Sequence, residues 1–142
     1  MERTTQHGAL VLRLALGSMF IAHALLKYYV FTLPGTVQFF QSLGLPGALA
    51  YFTFAAELIG GTLILAGFYG RWVSAALIPV LLGATWAHAG NGWVFNAPNG
   101  GWEYPAFLAA AALAHVLIGD GAYALTNTFR ARKLPALAQA LS

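Results

Sequence analysis

A carboxylate, an ammonium group and imidazoles set inside apolar runs are the residues of this chain that could do chemistry. Glu57, one of four acidic residues among 142, lies in the middle of the apolar stretch 51–68. A carboxylate in hydrocarbon costs at least about 2.5–3.5 kcal/mol on insertion scales, so it requires a partner or a proton. His23 and Lys27 lie four residues apart in an earlier apolar run. At 100° per residue, they and Arg13 fall within an arc of about 80° on one helix face. His88 closes a third run, Glu103 opens a fourth, and Asn91 and Trp102 flank the connection between them. Donors beside an acid of suitable pKa can hydrogen-bond carbonyl oxygens and relay protons. Glu57, His23 and Lys27 are therefore the candidate catalytic residues, and His88, Asn91, Trp102, Glu103 and Arg13 the candidate substrate contacts. Taken singly, Lys27 reads as a side chain snorkelling to headgroups, His23 as a satisfied core histidine and Arg13 as a membrane-edge anchor. Glu57 has no such alternative, because it is too deep to snorkel.

The elements that must position these residues follow from composition. The chain is 59% hydrophobic and 8% charged, against about 25% charged in a soluble domain. These values predict an all-α integral membrane protein. Crossing a core of roughly 30 Å takes about 20 helical residues, and four segments qualify: 9–30, 48–68, 72–90 and 103–121. They form a four-helix bundle over residues 1–125, followed by a basic cytoplasmic tail, 126–142. The connection 31–47 carries Pro34-Gly35 and Pro46-Gly47, which break helix, around a short interfacial helix at 36–43. Residues 69–71 read as a tight turn, and Pro79 as a kink in the third span. Trp93, Phe95 and Trp102 in 91–102 suit a headgroup belt. Arg3, Arg71, Arg130, Arg132 and Lys133 all fall on one side, while the other two connections hold no Lys or Arg. This bias puts both termini in the cytoplasm. It also accounts for the net charge of +3 without nucleic acid, since a basic juxtamembrane segment is attracted to anionic lipid. No cleavable signal peptide is expected, because Arg13 interrupts the first apolar run. With no cysteine, disulfides, thiolate metal sites and iron–sulfur clusters in this chain are excluded.

On this topology two polar clusters are expected. The outer one contains His23, Lys27, Glu57, His88 and Glu103, with Asn91 and Trp102 adjacent. The inner one contains Arg13 with His115 or Asp120. Small residues such as Gly17, Gly60 and Gly61 are expected to allow close helix packing in lipid.

Several stretches resemble the DoxX family of membrane proteins. Leu12-Arg13-Leu14-Ala15-Leu16-Gly17, followed by His23 and Lys27, is similar to the family's opening helix. Leu43-Gly44-Leu45-Pro46, Ala56-Glu57-Leu58-Ile59-Gly60-Gly61, Gly70-Arg71, His88 with Asn91-Gly92, Gly100-Gly101-Trp102-Glu103-Tyr104 and Gly119-Asp120-Gly121 follow in order, covering about residues 9–125. Departures are Ala24, where the family usually has Gly after the histidine, and Thr126, near the place of an expected acidic residue. The resemblance implies a four-helix protein of the bacterial cytoplasmic (inner) membrane linked to redox systems.

The leading functional expectation is a redox-associated membrane subunit handling a lipid-soluble molecule such as a quinone. Without a flavin or dinucleotide fingerprint, its electrons must come from a partner protein. A small-solute or proton-coupled transporter is the alternative, and four short spans would then imply a homo-oligomer. A non-catalytic anchor of a larger complex is another. Haem b between His23 and His88 is a lesser candidate, and Lys27 disfavours a metal ion because an ammonium repels a cation.

Overall fold

Apolar backbone in lipid must satisfy its own hydrogen bonds, and long apolar runs do so as helices. A computed structural model of the chain describes residues 2–129. The rest of the predicted tail, 130–142 with Arg130, Arg132 and Lys133, lies outside the described residues. The described residues form helices joined by connections, without strands. It comprises α1 (Arg3–Leu25) continued by a π-helical turn (Leu26–Val30), α2 (Leu33–Ser42), α3 (Ala48–Ala66), α4 (Gly70–His88) ending in a 3-10 turn (Ala89–Asn91), and α5 (Glu103–Ile118). Three stretches, Arg3–Val30, Ala48–Ala66 and Gly70–Asn91, are long and apolar enough to cross a membrane. α5 has 16 residues, about 24 Å of helix, short of the roughly 30 Å hydrocarbon core. It stops before the predicted end at 121 because Gly119 adopts φ 90° and turns Asp120 toward the start of α4, where its carboxylate accepts from two backbone N–H groups.

The predicted interfacial helix is α2, and its start follows from local chemistry. Thr32 Oγ1 accepts from the Gly35 N–H at 3.2 Å, with Pro34 in the first turn, where its missing N–H costs nothing. α3 ends on Gly67 at φ 69°, with Phe68 N bonded to Leu63 O at 3.0 Å. That is the left-handed close that favours glycine.

α1 packs along α3, α4 along α5, and α3 meets α4. Glycines set the closest approach. A Cβ on Gly17 would lie 2.9 Å from the Gly61 carbonyl oxygen and 2.8 Å from the Leu65 nitrogen, so α1 and α3 touch through backbone. Leu16, Phe20, Ile64, Leu77, Leu81, Leu108 and Ala112 fill the core. Outward positions are apolar as well, including Val11, Phe52, Ile59, Leu82, Trp86, Phe107 and Leu117. Helices that are apolar on both faces belong in lipid. Chain reversals put Lys27, α2 and the 92–102 connection at one end of the bundle, where the His88 ring stacks on Phe39 at 6.2 Å. The start of α1 and residues 119–129 share the other end, joined by Ala122 N to Gln6 O at 3.0 Å.

Candidate functional site

Lys27 and Glu57 form an ion pair across α1 and α3, with Nζ to Oε2 at 2.7 Å and side chains only 16% and 8% exposed. Each supplies what the other needs in an apolar setting, a charge partner and a hydrogen bond. Lys27 lies in the π-helical turn, whose i to i+5 closure is seen in Phe31 N to Leu26 O at 3.0 Å. Such a turn widens the helix and re-aims its side chains, and it often occurs at functional sites. Glu57 is held on α3 four residues before Gly61, on the face that packs against α1.

His23 precedes Lys27 by one turn and is within electrostatic reach of Glu57. Its Nδ1 lies 2.8 Å from the Met19 carbonyl oxygen. A carbonyl only accepts, so Nδ1 carries the proton, and in the neutral ring Nε2 is left as an acceptor. The ring stacks on Tyr104 at 5.6 Å, and the Tyr104 hydroxyl donates to the Met19 sulfur. Thus Glu57, Lys27 and His23 come together, with Tyr104 as a wall that the sequence reading left out. Its only signal there was its place directly after Glu103 in the Gly-Gly-Trp-Glu-Tyr motif.

The other outer candidates build the adjoining loop. His88 Nδ1 donates to Asn99 O at 3.0 Å. Asn91 Nδ2 donates to Asn99 O at 3.2 Å and Gly100 O at 2.9 Å. Glu103, at the first turn of α5, accepts from Phe95 N at 3.0 Å. Trp102 meets Trp93 edge-on at 4.7 Å. These contacts fix the 92–102 connection as a cover at the Lys27 end. Glu103 forms no ion pair with Lys27.

Arg13 belongs to the opposite end. It is 3% exposed, and its Nη1 donates to Asp120 O at 2.7 Å and Ala122 O at 3.2 Å. Beside it, Asp120 Oδ1 lies 3.3 Å from His115 Nε2, while His115 Nδ1 lies 2.7 Å from Ser74 Oγ. Burial pushes the Asp120 carboxyl up. The opposing contacts, first His115 and then the backbone N–H groups of Arg71 and Gly70, outweigh it and hold the group below the ordinary carboxylate range. Ser74 completes this end without having been singled out from sequence, and Thr126, noted there only as a departure from the family pattern, joins it. Thr126 Oγ1 donates to Gly67 O at 2.9 Å and accepts from Tyr69 N at 2.7 Å. Ser74 was legible only as a hydroxyl four residues after Gly70, on the same face of α4.

The DoxX family model matches residues 8–90, which span α1 to α4 and include the Lys27–Glu57 pair, His23 and His88. The chain belongs to the DoxX family. A protein of Bacillus subtilis (strain 168) bearing the name Putative oxidoreductase CatD is 40% identical over 84 residues, 59% of this chain and 61% of that protein. The match therefore covers less than two thirds of the relative's length. No solved structure matches the chain. Within this DoxX protein, α5 and the 119–129 segment lie beyond the matched range, so Tyr104 and the His115–Asp120 contact rest on the geometry of this chain alone.

Proposed function

We propose that this DoxX protein is a quinone-handling membrane subunit of a redox system, working at the Lys27–Glu57 pair. The observation that carries the reading is a buried ion pair, 2.7 Å long, beside a histidine whose Nε2 is free to accept, inside a bundle open to lipid. Reduction of a quinone to a quinol takes up two electrons and two protons. Electrons come from a partner protein, since this chain has no cysteine and no dinucleotide fingerprint. Lys27 spends one of its three N–H donors on Glu57 and offers the others to a head-group carbonyl. His23, once protonated, donates from Nε2 to the second oxygen. Glu57 holds Lys27 in place and takes part in reloading its proton. A neighbouring general acid of this kind contributes typically about 10²–10⁴-fold. The name of the Bacillus subtilis relative supports an oxidoreductase setting.

In this reading the protein resides in the bacterial cytoplasmic membrane with both termini inside. Arg3 and Arg71 then face the cytoplasm, and the aromatic 92–102 cover faces outward. Glu57→Gln keeps the shape and removes the charge. It is expected to lower quinone reduction by membranes carrying the whole redox complex about 100-fold or more, while the complex still co-purifies. Loss of co-purification with retained specific activity would assign the pair to assembly instead.

A further inference from the structure

We infer that the end of the bundle opposite the Lys27–Glu57 pair holds a binding site for an anionic phosphate group, with Arg71 as its recognition residue. A cavity of about 220 Å³ opens there between the start of α4 and the 119–129 segment. Arg71, Trp72, Asp120 and Asn127 are among the residues that line it. The Arg71 Nε is buried and has no hydrogen-bond partner. Among the described residues no carboxylate stands within 4.0 Å of the guanidinium. A buried guanidinium nitrogen without an acceptor costs more than an exposed one, and a tetrahedral anion with several oxygens is the ligand that satisfies its fork. The charged carbon sits 5.5 Å from the Trp72 ring centroid, which holds the fork against an aromatic face.

The remaining polar groups fit the same class of ligand. Asn127 Nδ2 donates to Gly121 O at 3.0 Å and retains a second N–H. Asp120 lines the cavity too, but its carboxylate is engaged by Gly70 N at 3.0 Å, Arg71 N at 2.6 Å and His115 Nε2 at 3.3 Å. Arg13 bonds the Asp120 main-chain carbonyl at 2.7 Å, so a second guanidinium stands close by and the two arginines outnumber the single carboxylate of the cavity lining. Trp72 and Tyr69 line the opening and are exposed, the amphipathic aromatics that mark a membrane–water interface. A phosphate group at that depth is either the phosphodiester of an anionic lipid or free phosphate from the aqueous phase.

Binding to the full chain in detergent, read by native mass spectrometry, separates these sources. The probes are phosphatidylglycerol, phosphatidylcholine and inorganic phosphate. Wild type is expected to retain phosphatidylglycerol about tenfold more tightly than phosphatidylcholine, and Arg71→Gln to lose about tenfold, the scale of one charge-assisted contact. If inorganic phosphate leaves the lipid bound, the ligand is the lipid phosphodiester. If it displaces the lipid and itself depends on Arg71, the ligand is free phosphate. Equal binding of every probe by wild type and Arg71→Gln overturns the site. Should Arg71→Gln lower the thermal midpoint enough to unfold the chain, Asn127→Asp serves in its place. It adds a negative charge at the exposed rim and is expected to weaken phosphatidylglycerol several-fold, and unchanged binding in that variant overturns the site equally.

Discussion

Glu57 and Lys27 show how two residues, each unfavourable in hydrocarbon, become a single acceptable unit. Their 2.7 Å contact means that removing either one strands the other. Breaking a buried pair from one side costs about 3–5 kcal/mol, whereas replacing both with apolar residues is often neutral. Lys27→Met is therefore expected to lower the thermal midpoint in detergent sharply, and Lys27→Met with Glu57→Leu to recover most of the loss while the proposed quinone reduction stays absent. If the double variant is no more stable than Lys27→Met, the two side chains are not coupled. Asp120 makes a second residue-scale case, with a definite sign. Its carboxyl is held below the ordinary 3.8, so folding favours the charged form. That stabilisation is complete above 3.8 and disappears as pH falls through the lower folded-state value. Asp120→Asn is expected to be less stable than wild type at pH 7 by about 1–3 kcal/mol. The two melting curves should converge as pH is taken below 3.8, and a constant difference down to pH 2 would remove the carboxylate's charge from the explanation.

At the scale of elements, the bundle is held by close backbone approach where lipid offers no hydrophobic drive. A Cβ on Gly17 meets only backbone within 3.0 Å, so no side chain can yield and α1 must move away from α3. Gly17→Ala is expected to cost about 1–3 kcal/mol, the range for overpacking, and to weaken activity by spreading the Lys27–Glu57 contact. Gly83 has nothing within 4 Å of its would-be Cβ and faces outward, so Gly83→Ala should leave the melting midpoint unchanged or slightly higher. A loss in Gly83→Ala equal to that in Gly17→Ala would take the explanation away from the α1–α3 contact, because helix propensity alone favours alanine at both positions. The same contrast explains what the sequence made legible. Hydropathy located α3 and α4 to within about two residues and the end of the first span at Val30, though α1 begins at Arg3, six residues before the predicted start, and the Pro-Gly steps located α2, because both are local signals. The Lys27–Glu57 pair was legible because a deep carboxylate demands a cation and few were at hand. The π-helical turn, Tyr104 against His23, and Ser74 against His115 were not. They depend on the rotation of one helix against another, which no single run of residues records. Glu103 shared the predicted depth of Lys27, yet it caps the Phe95 turn, since a carboxylate at a helix start is drawn to the nearest backbone N–H.

At the scale of the whole molecule, α5 decides how many times the chain crosses the bilayer. The bundle places Gln6 and Ala122 at one end, as an even number of crossings requires. Yet α5 has only 16 residues, about 24 Å of helix, so the bilayer must thin locally or the flanking aromatics must reach to the interface. The cost is fractions of a kcal/mol per Å, small beside exposing Phe107, Leu113 and Leu117 to water at about 1.5–3 kcal/mol each. This balance favours crossing, which is the arrangement we propose. The chain contains no cysteine, so single substitutions report location cleanly. In spheroplasts, a membrane-impermeant maleimide is expected to label Asn96→Cys at once, and Thr4→Cys and Thr128→Cys only after lysis. Immediate labelling of Thr4→Cys and Thr128→Cys with Asn96→Cys protected would reverse the orientation drawn from Arg3 and Arg71. Labelling of Thr4→Cys and Thr128→Cys on opposite sides would mean that α5 lies along the surface. In that case the His115–Asp120 contact and the Arg71 cavity could not form as described, because both need the end of α5 beside the start of α4.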